Sequence, residues 1–170
     1  GKDPCRVVYF YGIKGIPLDT ALRDGFDSVI AENPAIKVVD EAEGKYLGPD
    51  EGLKAMQDVL QKTPDFDVVV GSDQSIQGAQ QGLEEAGKLD KVALIGLGGS
   101  EAAITAITDG KWFGGVYGAP GTEGQLAMTG LMDAIQNGTD TGGVDPLTTI
   151  EEEGLITQDN VAKFPAQWAG

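Results

Sequence analysis

What most constrains this chain is a rhythm. A short apolar run is followed by a glycine-containing loop and then by a stretch with helical spacing, and the unit repeats along most of the sequence. The runs are Arg6–Tyr11 (RVVYFY), Ile36–Asp40 (IKVVD), Asp67–Val70 (DVVV), Lys91–Ile95 (KVALI) and Gly115–Tyr117 (GVY). Most are rich in Val and Ile without polar alternation, the pattern of strands buried on both faces of a parallel sheet. They begin about every 24–31 residues, the length of a strand, a helix and a return loop. The stretches between them carry apolar stripes at the 3.6-residue period. These are Leu18, Leu22, Phe26, Val29 and Ile30; Leu53, Met56, Val59 and Leu60; Ile76, Ala79, Leu83 and Ala86; Ala103, Ile104 and Ile107; and Ala127, Met128, Leu131 and Ile135. Such stripes are expected to face the core. Pro17 suits a first helical turn, Ser100 and Thr122 suit N-caps, and Gly87 and Gly110 sit where helices end. The prediction is an α/β fold: a three-layer, doubly wound parallel sheet of about five strands with flanking helices.

The 170 residues suffice for one domain with a substantial core. The 12 Lys and Arg against 27 Asp and Glu leave a formal charge of −15, which argues against nucleic acid and anionic membrane surfaces as partners. Histidine is absent, which excludes His-based triads, proton shuttles and His-ligated metals. Cys5 is the only cysteine and reads as a buried or free thiol, with pairing outside the chain as the lesser alternative. No apolar stretch reaches the ~20 residues of a membrane span. No signal peptide is visible, and the abrupt start just ahead of Pro4-Cys5 reads as a processing point or the edge of a longer chain. Asn137–Pro146 (NGTDTGGVDP) reads as a turn-rich linker carrying one chance-level glycosylation triplet at Asn137. Beyond it, Leu147–Ile150 is expected as one more strand and Gly154–Gly170 as a loosely structured tail.

In an open parallel sheet, chemistry gathers at the carboxyl ends of the strands. Here those loops are Gly12–Ile16, Glu41–Tyr46, Gly71–Ser75, Gly96–Ser100 and Gly118–Gly121, each with glycine. Gly96-Leu97-Gly98-Gly99-Ser100 resembles a dinucleotide-binding turn, but its third glycine position holds Glu101. No GxxxxGK[ST] loop occurs, and the acids of a phospho-acceptor receiver are missing after the first and third strands. Ser72, Ser75 and Ser100 lie on the functional edge, yet without histidine a serine nucleophile needs a lysine base such as Lys14. Caps and turns are the simpler reading of all three.

With these loops laid out, the chain resembles the carboxyl-proximal lobe of type I periplasmic binding proteins, the ribose-binding-like sugar receptors. The matching runs are Val7–Gly15 (VVYFYGIKG), Asp24-Gly25-Phe26, Leu53–Leu60 (LKAMQDVL), Pro64–Val70 (PDFDVVV), Ser72-Asp73, Gly78-Ala79, Glu85-Ala86-Gly87, Val92–Gly99 (VALIGLGG) and Ile107–Lys111 (ITDGK), closing at Pro120. The resemblance implies one lobe of a two-lobed fold, with a preceding lobe and a ligand cleft between them. Residues 1–120 would be the ligand-binding lobe. Residues 121–138 would be a helix crossing to the other lobe, and 139–170 a linker, short strand and tail. Without the other lobe, the stripe at Ala127, Met128, Leu131 and Ile135 must fold back, pair with a second copy as a homodimer, or stay exposed.

The family's ligand positions map onto this sequence with substitutions. The arginine that its first helix brings to the cleft falls near Thr20, with Arg23 on a different helical face. The Asn-Asp after the third strand becomes Ser72-Asp73, where Asp73 reads equally as a helix cap. The aspartate of its Gly-Phe-Asp-Gly turn becomes Gly98, and a glutamine before the loop proline becomes Gly118. Tyr46 would supply the aromatic after the second strand, and Tyr11 and Lys14 complete the candidate contacts. Small residues thus stand where fork-bonding groups hold sugar hydroxyls, at about 1–3 kcal/mol per unpaired hydroxyl. The resemblance implies a solute, but not ribose.

The expected role is therefore the solute-binding component of an ABC importer. It would bind a sugar or related small polar solute without catalysis, cofactor or metal, and would meet a transporter permease. It would be secreted, periplasmic or a cell-surface lipoprotein. The alternatives are the sensing lobe of a lactose-repressor-like regulator, an accessory receptor for a membrane kinase, and, further off, a flavodoxin-like enzyme.

Overall fold

The computed structural model describes residues 3–138 and 145–170. Its first strand, β1 (Cys5–Tyr11), is buried along most of its length because a parallel neighbour flanks it on each side. One neighbour is β2 (Ile36–Glu43) and the other is β3 (Val68–Ser72). The sheet continues through β4 (Ala93–Gly98) and β5 (Gly114–Tyr117) to an antiparallel edge, β6 (Leu155–Thr157), in the order β2-β1-β3-β4-β5-β6. The chain therefore winds one way from β1 to β2 and the other way from β3 onward. That reversal opens a crevice outside the carboxyl ends of β1 and β3.

The strand at the edge departs from its expected pattern. β2 runs on to Glu43, and its residues alternate between half-buried and exposed. An edge strand has one neighbour and is less completely covered, so Lys37, Val39, Glu41 and Glu43 remain exposed, with Glu41 held by Arg23 and Lys14.

One face of the sheet carries α2 (Pro49–Lys62), α3 (Asp73–Glu85) and α4 (Glu101–Thr108). Met56, Val59, Ile76, Leu83 and Ile107 from these helices enclose Val8, Phe10, Val69 and Leu94 from the strands. α2 and α3 meet backbone to backbone. A Cβ on Gly78 would overlap the Pro49 carbonyl and the Leu53 nitrogen, and one on Gly52 would stand 2.8 Å from the Ser75 Cα.

The opposite face carries α1 (Pro17–Glu32), whose Phe26 ring lies 4.9 Å from that of Tyr9. The stripe expected to make α1 core-facing does not do so: Leu18 is 56% exposed and Val29 58%. A 3.6-residue stripe buries only where a surface receives it, and α1 touches the sheet through Phe26 and Arg23 rather than along its length. Ile95 and Leu97 are only half-buried on this face, and Val116 and Leu155 are exposed. The third layer is thin.

The helix α5 (Pro120–Asn137) starts two residues before the expected cap at Thr122, with Ala119 in the N-cap position and Pro120 in the first turn. None of its described residues is buried, and Met128, Leu131, Met132 and Ile135 stand in solvent.

The carboxyl-terminal region differs most from expectation. Pro146–Thr149 forms a short 3-10 turn where a strand was expected at Leu147–Ile150. The strand is β6, and the stretch expected as a loose tail is built in: Ile156 is fully buried, and Val161 and Phe164 join the main core. Pairing with β5 supplies partners for an otherwise open edge. Much of the linker expected after Asn137, including Thr139 of the glycosylation triplet, lies outside the described residues.

Candidate functional site

Two polar clusters form at the carboxyl ends of the strands. The first joins the loops after β1 and β2 through Asp19, in the first turn of α1. Its carboxylate is 1% exposed and accepts from the amides of Gly12 at 2.6 Å and Ile13 at 3.2 Å. The Tyr46 hydroxyl donates to the same carboxylate at 2.8 Å. The Tyr46 ring lies against Gly12, where a Cβ would overlap it, so glycine is required there. Burial, and then the hydrogen bond to Asp19, pushes the Tyr46 phenol well above its usual range. Desolvation, followed by the Asp19 charge, takes Tyr9 to about 12.

The loop that presents Tyr46 carries local strain. Lys45 has φ +58, in the left-handed region that costs a non-glycine residue about 1–2 kcal/mol. Its carbonyl accepts from the Ser75 hydroxyl at 3.0 Å, which holds that geometry against α3.

Beside this lock lies a charged group. Arg23 donates to the Tyr11 hydroxyl at 2.7 Å, to Glu41 at 2.5 Å and to Asp27 at 2.8 Å. Its guanidinium lies 5.1 Å from the Tyr9 ring centroid. Lys14 stands 4.7 Å over the Tyr11 ring and donates to Glu41 at 3.2 Å. The hydrogen bond from Arg23, above all, holds the Glu41 carboxyl below its ordinary value.

The second cluster sits at the ends of β3, β4 and β5. Ser72 caps α3, and its hydroxyl lies 2.8 Å from that of Ser75. Asp73 is fully buried. One of its oxygens accepts from the Ser100 amide at 2.7 Å, while the other has no partner. Desolvation raises its pKa. Gly98 lies directly over this carboxylate, and its carbonyl accepts from the Gly118 amide at 3.0 Å.

The structure thus brings Tyr11 and Lys14 together, joins Tyr46 to the first loop, and groups Asp73, Gly98 and Gly118. Thr20 is exposed beside Asp19, and its hydroxyl donates to the carbonyl of Ile16 at the helix N-cap. Sequence reasoning missed Asp19 and Glu41 and set Arg23 aside. Asp19 reads as an ordinary acidic residue of a first helical turn, and its partners are known only once the loops are in place. Chemically the arrangement is a set of fixed donors and acceptors. The hydroxyls of Ser72 and Ser75 engage each other and the Lys45 carbonyl, and Lys14 is held by Glu41. Among the described residues no three potential metal ligands converge.

Residues 1–140 match the model of a family described as periplasmic binding protein domain. Over 87 residues the chain is 32% identical to a D-apiose import binding protein of Actinobacillus succinogenes, covering 51% of this chain and 27% of that protein. A solved ABC transporter solute binding protein from Bacillus halodurans with bound myo-inositol is 25% identical with a TM-score of 0.81, covering 95% of this chain and 54% of that one. A Mycobacterium smegmatis solute binding protein with bound glycerol is 27% identical with a TM-score of 0.81, covering all of this chain and 58% of that one. The chain thus spans little more than half the length of these solved relatives. Strand order, crevice and sequence agree: the chain belongs to the periplasmic binding protein family.

Proposed function

We propose that this chain is the ligand-binding lobe of an extracytoplasmic solute receptor that serves an ABC importer. It binds a sugar or related small polar solute between itself and a second lobe, and it performs no catalysis. The observation that carries this reading is the crevice itself. Loops from four strands meet there in a fixed geometry, held by Asp19, Ser75 and Asp73. Preorganised backbone and hydroxyl groups suit a small neutral solute. The myo-inositol and glycerol bound by the solved relatives favour a polyhydroxylated one. Tyr11, Lys14, Thr20, Tyr46, Ser72, Asp73, Gly98 and Gly118 are the proposed contacts, direct or through their backbone.

The bare apolar side of α5 fits the same reading. Met128, Leu131 and Ile135 are exposed here and become buried when residues 121–138 pack on the second lobe. The receptor docks on a transporter permease and is secreted, periplasmic or a cell-surface lipoprotein.

The test is a thermal-shift screen of the two-lobed protein against sugars, inositols and linear polyols. A ligand at a hundred times its Kd stabilises by about 2.7 kcal/mol, a shift of several degrees. A flat screen across all three classes refutes the proposal.

A further inference from the structure

The two polar clusters of the crevice meet at Ser75. This residue lies in the first turn of α3 and is fully buried. Its hydroxyl donates to the Lys45 carbonyl at 3.0 Å, which leaves its oxygen to accept from the Ser72 hydroxyl at 2.8 Å. Two glycines make room for it. A Cβ on Gly44, in the loop between β2 and α2, would stand 2.2 Å from the Ser75 Oγ, and one on Gly52 of α2 would stand 2.8 Å from the Ser75 Cα. Ser75 is thus packed where three segments converge, and its hydroxyl joins two of them.

What this hydroxyl holds is strained. Lys45 has φ +58, a conformation that glycine adopts freely and lysine does not. The Lys45 ammonium donates to Glu51 at 3.1 Å, but that pair is largely solvated and contributes little. The Ser72 hydroxyl reaches the Lys45 carbonyl only at 3.4 Å, a long bond. The bond from Ser75 is therefore what keeps Lys45 left-handed. Tyr46 is the next residue, so its bond to Asp19 depends on the direction the chain takes at Lys45. A glycine at position 45 would remove the strain outright, and strain retained at a fixed point in a cleft points to function rather than to stability.

We infer that Ser75 is a positioning residue for ligand binding. Through Lys45 it couples the loop after β2 to the turn after β3, so that the two sides of the crevice are presented as one rigid unit. The inference rests on the solute-binding reading above, in which Tyr46 and Ser72 are contacts. Ser75 acts through these neighbours and does not itself touch the solute. A solute that meets both loops loses affinity when either must be ordered on binding. Fixing their separation beforehand strengthens binding without adding a contact.

The test uses the two-lobed protein, with myo-inositol, glycerol and D-apiose as probes. Calorimetry gives the affinities, and amide hydrogen exchange reports the order of residues 44–47. Ser75→Ala should weaken the probe that binds by about 10-fold or more and speed exchange at 44–47 by a similar factor. Lys45→Gly removes the strain that the hydroxyl opposes. Ser75→Ala made together with it should therefore weaken the probe by less than about 3-fold relative to Lys45→Gly alone. A Ser75 that served only to pack α3 against α2 would show equal losses in the two backgrounds. Should Ser75→Ala fail to fold, Ser75→Cys, which keeps the shape and donates weakly, takes its place in the same comparison. A probe that binds with affinity unchanged in the Ser75 variant, unaltered exchange at 44–47, or equal losses in the two backgrounds overturns this inference alone. Binding of none of the three probes to the unaltered protein, in agreement with a flat screen, overturns the solute-binding reading and this inference with it.

Discussion

Removal of the Asp19 carboxylate would test whether the first two crevice loops are held by one buried group. Asp19→Ala deletes the acceptor for the Gly12 and Ile13 amides and for the Tyr46 hydroxyl. Gly12 is buried and Tyr46 half-buried, so water replaces the lost partner poorly. Hydrogen bonds to a charged group contribute about 1.5–3 kcal/mol each, and non-additivity brings the expected loss to about 3–5 kcal/mol. Asp19→Asn keeps one carbonyl oxygen for the Gly12 amide and should lose about 2 kcal/mol. Urea unfolding followed by circular dichroism measures both losses, with an unchanged slope expected because the surface exposed on unfolding is the same. An independent readout comes from the phenol. Tyr46 is raised by burial and then by Asp19, so its phenolate should appear at lower pH in the Asn variant. A loss below 1 kcal/mol in Asp19→Ala, together with an unmoved alkaline titration, would refute the idea that Asp19 locks the loops.

Two further outcomes follow from the core and the second cluster. Gly78→Ala forces α2 and α3 apart where they touch through backbone alone, and should cost about 3 kcal/mol in thermal or urea unfolding; a cost below 1 kcal/mol would show that the two helices separate freely. Asp73→Asn removes a buried carboxyl whose pKa is raised by desolvation. The folded chain holds that proton more tightly than the unfolded one, so its contribution to stability is complete below the unfolded carboxyl value of about 3.9 and is lost as pH rises through the folded value. The Asn variant should therefore gain on the wild type as pH rises from 4 to 7, ending about 1 kcal/mol more stable in parallel melts. A difference that does not vary with pH would refute this.

The sheet was legible in the sequence wherever a strand has neighbours on both sides. RVVYFY, DVVV and KVALI carry the unalternating apolar pattern because β1, β3 and β4 are flanked and covered. β6 was not legible. LIT is short, and its buried residue, Ile156, is followed by Val161 and Phe164 at spacings that match neither a helix nor a strand. What recruits it is the open edge of β5, a property of the assembled sheet rather than of those residues. The stripe on α1 failed for the complementary reason: Leu18 and Val29 keep helical spacing but meet no surface to bury against.

The site was legible at one level and hidden at the next. The loops at the strand ends follow from the strand–helix rhythm, so Tyr11, Lys14, Tyr46, Ser72, Asp73, Gly98 and Gly118 could all be placed near the crevice from the sequence. Which of them face a ligand depends on what each side chain already holds. The Tyr11 hydroxyl accepts a hydrogen bond from Arg23, and the Tyr46 hydroxyl donates one to Asp19. Asp73 is drawn beneath Gly98 to the Ser100 amide. Asp73, which reads in the sequence as a contact or a helix cap, and Gly98, which reads as a lost ligand group, are one packed unit with Trp168 in the structure. The glycine admits both the carboxylate and the indole, and a residue seventy positions away closes the gap. A substitution at Gly98 would therefore act first by displacing Trp168 and only then on whatever the crevice holds.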